Sequence, residues 1–397
     1  MLARTPLQAI SQFHDEMVAI RRDLHAHPEL GFQEFRTAGL VAGSLQAIGL
    51  EVYRGIGKTG VVGVLKGLAT DSGKMVGLRA DMDALPMQEV GSLDYGSRHA
   101  GVMHACGHDG HTAILLAAAR FLASTRQFNG TVVFIFQPAE EGLGGAQSMI
   151  DDGLFERFPC DAVYALHNWP NLAPGMIGLN PGPMMAAADR FEIRVTGKGG
   201  HGAHPYQTID PILVAAHIVT ALQSIVSRNV NPMDAAVVSV GSIQAGQTGA
   251  MSVIPEVATI VGTVRTFRPS VQQVVEQRMA SLVTSIAQGF GATATLQYEK
   301  LFPATINTPG QANLVADAAA NVVGEQNVVR DLTPSMGSED FSFMLQQRPG
   351  AYFRLGQGGE PGSCQLHNPA FDFNDAVIPT GAAVFVEIVH RSMPLDR

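Results

Sequence analysis

The stretch Met103-His104-Ala105-Cys106-Gly107-His108-Asp109-Gly110-His111 constrains this chain more than any other. It packs three histidines, a cysteine and an aspartate into a chain of 397 residues that has only 3 Cys and 13 His. Cys106 and His108 are two apart, so on extended backbone they point to one side. A thiolate and an imidazole converging from one loop suit a zinc-like divalent ion. Ile114, Leu115, Ala118, Phe121 and Leu122 then recur at helical spacing, which puts the cluster in a glycine-rich loop leading into a helix. Helix capping alone would need one such side chain, not a cluster of them.

The length exceeds the usual limit for a single core, so two domains are expected. A net charge of -9 argues against a nucleic-acid or membrane-surface partner. The N-terminal stretch up to Asp23 carries polar and charged residues throughout and lacks the basic and apolar regions of a signal peptide. No apolar run approaches the ~20 residues of a membrane span. Cys106, Cys160 and Cys364 are odd in number and far apart, which is no disulfide framework and fits a reducing cytoplasm.

Pro6 to His25 reads as an amphipathic helix with Ile10, Phe13, Met17, Ile20 and Leu24 on one stripe, and Thr37 to Ile48 as a second helix stopped by Gly49. Val61–Leu65, Met75–Arg79, Thr131–Phe136 and Asp161–Leu166 are short apolar runs, hence buried strands. Each of the last three runs straight into polar residues. Asp81 and Asp83, two apart, should share one side at the end of theirs. Glu140 and Glu141 follow the next and should diverge, one toward a metal and one toward substrate as a general base. His167-Asn168-Trp169 should follow the end of the last. Ligands collect at such strand ends in α/β sheets. Each cluster also has a plainer reading, as an Asp-stabilised turn, a solvated acidic turn or a core histidine.

After Pro181-Gly182-Pro183 the pattern changes. Strands at Arg190–Val195, Ala235–Val240, Ala258–Val264 and Thr293–Tyr298, with helices at Pro211–Val226 and Val271–Phe290, give the β-α-β-β-α-β order of a ferredoxin-like sheet. The expectation is therefore an α/β protein of two domains. Residues 1–183 and 301–397 read as one discontinuous domain of buried strands and helices. Residues 184–300 form an inserted ferredoxin-like α+β domain. Its first loop, Gly197 to Pro205, is glycine-rich and carries His201 and His204.

Taken together, RRDLHAHPELG from Arg21, RADMDALP from Arg79, HACGHDGH from His104, PAEEG from Pro138, ALHN from Ala165, GKGGHGAHP from Gly197 and LHNP from Leu366 resemble the aminoacylase-type metallopeptidase family. The resemblance is closer to the branch of hippurate hydrolases and auxin-conjugate amidohydrolases, and it spans nearly the whole chain in order. It implies a two-metal hydrolase of N-acyl amino acids, with residues 1–183 and 301–397 as a metal-binding catalytic domain on a mixed central sheet flanked by helices, and residues 184–300 as a smaller lid domain that dimerises. Carried over residue by residue, it implies Cys106, His108, Glu141, His167 and His367 as metal ligands and Glu140 as general base. Asp83 would orient a ligand, and His201 would reach a neighbouring subunit's site and stabilise the oxyanion. The wider family has H-x-D where this chain has Asp81-Met82-Asp83, which leaves the role of Asp81 open. Ser252 stands where relatives often place a substrate-touching Asn, so the lid's substrate contacts are open too.

This chemistry agrees with the residues read alone. Two divalent ions can hold a water and polarise the scissile carbonyl. One thiolate ligand favours Zn, Ni, Co or Mn over Mg. Arg265, just past the strand Ala258–Val264, is a candidate for pairing a substrate carboxylate. The expected partner is thus a small N-acyl amino acid, with the chain assembled as a homodimer or a dimer-based oligomer through its lid. A Cys106 nucleophile with His108 or His111 as base would leave Glu141, His167 and His367 without purpose. A binding protein on the same fold would keep these ligands poorly. A di-metal exopeptidase or dipeptidase of the same family is the serious alternative.

Overall fold

In the computed structural model, which describes residues 4–358 and 364–395, the apolar runs build one large mixed sheet. Among the described residues it has eight strands in the order 51–56, 60–66, 131–137, 75–81, 162–169, 350–356, 177–178, 328–329. Its middle is parallel. Met75–Asp81 lies between Thr131–Gln137 and Ala162–Trp169, and Gly350–Gly356 pairs with Ala162–Trp169 on the far side. Strands covered on both faces need apolar residues at successive positions, which is why Val132, Val133, Phe134, Ile135 and Phe136 are all fully buried. Parallel neighbours share a carboxyl end, so Asp81, the turn after Gln137 and the His167 region are delivered to one edge.

The His108–Thr125 helix buries Ile114, Leu115, Ala118 and Leu122 completely and packs against the Ile378–Ser392 helix. Truncating Leu115 to Ala there would cost about 2–5 kcal/mol. Several boundaries differ from expectation. The first helix is broken by a 3-10 turn at Ser11–Phe13 into Pro6–Ile10 and His14–Ala26. The strand Glu51–Ile56 carries charged, half-exposed residues and gives no apolar run, yet it pairs antiparallel with Gly60–Lys66 at the sheet edge. His167, Asn168 and Trp169 lie inside the strand Ala162–Trp169, not after it, because Gly350–Gly356 pairs with it as far as Trp169.

Two compact units emerge from the contacts. Met1–Met184, Thr305–Pro334 and Asp340–Arg397 form the first, and Met185–Ala304 with Ser335–Glu339 the second. The second runs past residue 300 because its last strand continues to Phe302, and it takes in residue 335 onward because Ala186 donates its N–H to Ser335 O and Gly337 O at 3.0 and 2.8 Å. Its sheet has the order 236–245, 257–266, 187–196, 293–302, all antiparallel. The first strand therefore sits centrally, as in a ferredoxin-like fold. Phe191, Ile193 and Val195 meet Ile218 and Leu222 of the helix Pro211–Asn229 and Val275 and Met279 of the helix Pro269–Gly289 in its core. Contrary to the sequence expectation, Pro211–Asn229 is long and apolar enough, with a mean hydropathy of 1.3, to cross a membrane by length and composition. Its Val214, Ala215, Ile218, Leu222 and Ile225 are buried in this core.

Candidate metal centre

The cysteine–histidine cluster is shaped by a glycine, not by extended backbone. Gly107 takes φ +91° and ψ 17°, the left-handed region, and caps the helix that starts at His108. A Cβ at residue 107 would lie 2.5 Å from Asn168 Oδ1. The alternation argument for Cys106 and His108 is thus corrected, since a left-handed turn joins them. They converge all the same. The ligand atoms of Cys106, His108 and His167 lie within 4.8 Å of one another. The same holds for Cys106, Glu141 and His367, and for His108, Glu140 and Glu141. One site therefore gathers six of the residues singled out from sequence.

Hydrogen bonds fix which atoms face inward. His108 donates from Nδ1 to the Asp83 carbonyl at 2.9 Å and lies 3.2 Å from the carboxylate Oδ1, so its Nε2 carries the free lone pair. His167 donates from Nδ1 to Asn168 O at 2.7 Å, which turns a bare Nε2 toward Cys106 Sγ at 3.4 Å. The other Asp83 oxygen accepts the Glu141 N–H at 3.0 Å. Asp83 thereby holds one imidazole and one carboxylate at once. His367 N–H donates to Ala105 O at 2.8 Å, tying the C-terminal loop to the cysteine loop. His367 and Ala139 both adopt positive φ, +62° and +54°. Strain of about 1–3 kcal/mol per residue concentrates here, beside the ligand set.

The donors fit a cation. His108 Nε2 and Glu141 Oε1 are buried without a hydrogen-bond partner and stand 4.0 Å apart, and Glu141 Oε1 is 3.3 Å from His367 Nε2. Lone pairs aimed at each other in a buried site call for a positive charge between them. Burial would push His108 down, but Asp81, Asp83 and Glu141 outweigh it and raise the imidazole to about 10, so without an ion a proton on Nε2 supplies that positive charge. Burial, with Glu141, Glu140 and Asp81, pushes the Cys106 thiol well above its ordinary value. A nucleophilic cysteine needs the opposite environment. Burial and His111 push His167 well below its usual range, leaving its imidazole neutral. Sulfur, nitrogen and carboxylate donors in one site match a borderline divalent ion.

Two buried networks behind the site were not read from the sequence. Asp81 closes the strand, and its Oδ2 stands 3.7 Å from Nε2 of the His108 ring whose Nδ1 faces Asp83. Asp81 also receives Arg79 Nη1 at 2.7 Å and His111 Nδ1 at 2.6 Å. His111 Nε2 in turn accepts the Asn168 N–H at 3.0 Å. Arg79 also contacts Gln137 and Asp340, at 2.8 and 3.3 Å. The alternating Arg79-Ala80-Asp81 was the available signal. In the second network Asp109 Oδ2 meets Arg21 Nε at 2.9 Å and His25 Nδ1 at 2.8 Å, all of them buried. The Arg21 guanidinium also contacts Asp372 and lies 5.2 Å from the Tyr95 ring centre.

His201, Ser252 and Arg265 belong to the second unit. His201 pairs with Val253 in a two-stranded ladder and is exposed, and its Nδ1 accepts the Ala203 N–H at 3.1 Å, leaving the ring proton on Nε2. Ser252 O accepts the Gly202 N–H at 2.7 Å. Arg265 lies within the strand Val257–Thr266 rather than past its end. It is half-buried, donating to Thr263 Oγ1 and to Val264 O.

The profile of the peptidase family M20/M25/M40 matches residues 77–391. The chain is 44% identical to hippurate hydrolase of Campylobacter jejuni, over 96% of this chain and 97% of that one. It is 40% identical to N-acetyl-L-cysteine deacetylase of Bacillus subtilis, over 96% and 89%. Its fold is similar to the crystal structure of the Bacillus subtilis YXEP protein, described as a dinuclear metal-binding peptidase, with a TM-score of 0.84, 36% identity and coverage of 96% and 99%.

Proposed function

This chain belongs to the peptidase family M20/M25/M40, and from that premise we propose that it is a metal-dependent amidohydrolase of N-acyl-L-amino acids, releasing a carboxylic acid and a free amino acid. The observation that carries the reading is the convergence of Cys106, His108, Glu141, His167 and His367 with Glu140 beside them. These five are the metal ligands of the proposal, for two divalent ions per chain drawn from Zn, Mn, Ni or Co. When bound, such ions polarise the amide carbonyl and acidify water. Glu140 takes the proton of the attacking water and delivers it to the departing nitrogen. Asp83 keeps His108 in the right tautomer and Glu141 in place. His201 donates from Nε2 to the developing oxyanion of a neighbouring subunit's site, worth about 3 kcal/mol of barrier. Arg265 pairs the substrate carboxylate. The active unit is a homodimer or a dimer-based oligomer formed through the second unit, and its free cysteines fit a reducing cytoplasm.

A second reading is a di-metal exopeptidase or dipeptidase, favoured by the peptidase description of the YXEP protein. One panel separates the two. Hippurate, N-acetyl-methionine, indole-acetyl amino acids and unblocked dipeptides are assayed with and without chelator. The amidohydrolase reading expects the acylated substrates to be cleaved best and chelation to abolish cleavage. Preference for unblocked dipeptides moves the assignment to the peptidase, and full activity in strong chelator removes both.

A further inference from the structure

The turn that carries Glu140 and Glu141 is gripped by residues far from the ligand set. After the strand ends at Gln137, Ala139 takes φ +54°, a conformation unfavourable for any L-residue with a Cβ. Its N–H donates at 2.8 Å to Oε1 of Glu34. Glu34 is buried, and its Oε2 accepts the Thr59 hydroxyl at 2.5 Å. Glu34 also occupies the N-cap of the helix Phe35–Ala47, yet its side chain makes no capping bond. A buried carboxylate that bypasses the helix it begins and reaches a strained turn 105 residues away serves that turn.

The segment before Glu34 closes on the same place. A Cβ on Gly31 would come within 3.0 Å of Ala139 Cα and Cβ. Two residues earlier, Glu29 O accepts the Ala84 N–H at 2.8 Å, next to Asp83. One stretch of chain thus braces both the acidic turn and the aspartate that orients His108 and Glu141.

We propose that Glu34 is a positioning residue of the hydrolase: through the Ala139 N–H it locks the left-handed turn that splays two consecutive carboxylates, one to the metal ligands and one to the reacting water. The proposal deepens the amidohydrolase reading and rests on it. Without that acceptor, Ala139 relaxes toward negative φ, the following peptide rotates, and Glu140 and Glu141 swing together. A displacement of a catalytic group by about 1 Å costs on the order of 100-fold in rate.

The test compares Glu34→Ala, Glu34→Gln and Gly31→Ala in the full-length, metal-loaded enzyme. It reads kcat and KM on hippurate in excess zinc, zinc affinity by competition with a chromophoric chelator, and thermal midpoint. Glu34→Ala is expected to lose about 100-fold in kcat with KM changed less than about threefold. It should also lose about 10- to 100-fold in zinc affinity, because Glu141 moves with the turn. Glu34→Gln keeps an oxygen for the Ala139 N–H and should recover most of both. Gly31→Ala pushes the same turn from its other side without disturbing a buried charge, and should lower kcat in the same direction. It decides the matter if Glu34→Ala does not fold. Glu34→Ala with kcat and zinc affinity near those of the parent, or Glu34→Gln no better than Glu34→Ala, overturns the proposal. A parent protein that binds none of Zn, Mn, Ni and Co and leaves every acylated substrate of the panel intact overturns the amidohydrolase reading itself, and Glu34 with it.

Discussion

Replacing Asp83 should weaken metal binding before it affects any chemical step. Its buried carboxylate lies 3.2 Å from His108 Nδ1 and accepts the Glu141 N–H at 3.0 Å. Hydrogen bonds to a charged group contribute about 1.5–3 kcal/mol each. The loss is cushioned on one side, because the Asp83 backbone carbonyl still accepts from His108 at 2.9 Å. Asp83→Asn keeps one accepting oxygen and Asp83→Ala keeps none. The expected falls in zinc affinity are about tenfold and about 100-fold, within the range seen when the partner of a ligand is removed. They correspond to about 1.4 and 2.7 kcal/mol. Competition titration against a chromophoric chelator measures both, and kcat at saturating zinc should recover to within about tenfold of the parent. Unchanged zinc affinity with kcat abolished would refute the reasoning and put Asp83 on the reactants instead.

Glu140→Gln should keep its metal and lose about 10²- to 10⁴-fold in turnover, whereas Glu141→Gln should lose metal in elemental analysis; the reverse pattern exchanges their roles. Mixing inactive Glu140→Gln and His201→Ala chains, with subunit exchange verified, should restore part of the activity, and no recovery would confine His201 to its own chain. Amidating the substrate carboxylate should slow cleavage, and equal rates on free and amidated substrates would remove the Arg265 contact. Asp109 carries a pH dependence. Burial would raise its carboxyl, but Arg21 and His25 hold it well below the usual range. A depressed folded value contributes stability that is present above the unfolded pKa and lost as pH falls through the folded one. Urea stability of the metal-free protein should therefore decline below pH about 4. Asp109→Asn should flatten that decline and cost at most about 3 kcal/mol at neutral pH, because buried Arg21 loses one carboxylate and keeps Asp372 and Asp375; an unchanged acid slope would exclude the pair.

The parallel centre of the sheet was legible because Val132 to Phe136 is apolar at every position, and the half-exposed strand Glu51–Ile56 was not because its pattern is mixed. The convergence of Cys106, His108 and Glu141 was anticipated, but for Cys106 and His108 the means was misjudged. Period-two reasoning holds only where backbone is extended, and Gly107 is left-handed. Glu34, Arg21 and Asp109 carried no local signal for their tasks, because their partners lie 105, 351 and 84 residues away. Spacing can report a neighbour on the same element, but not a bond that only tertiary packing creates.

The order of synthesis adds a constraint of its own. The strand Gly350–Gly356 completes the middle of the large sheet, and His367 follows it. A ribosome that has released the first 340 residues has therefore exposed Cys106, His108, Glu141 and His167, but neither the strand that flanks His167 nor His367. Contacts this distant in sequence are slow to form. In the proposed centre, full coordination would thus require a chain made past His367: shorter products present a thiol and histidines without the complete set. Such fragments would hold the proposed ions less tightly than the full set does.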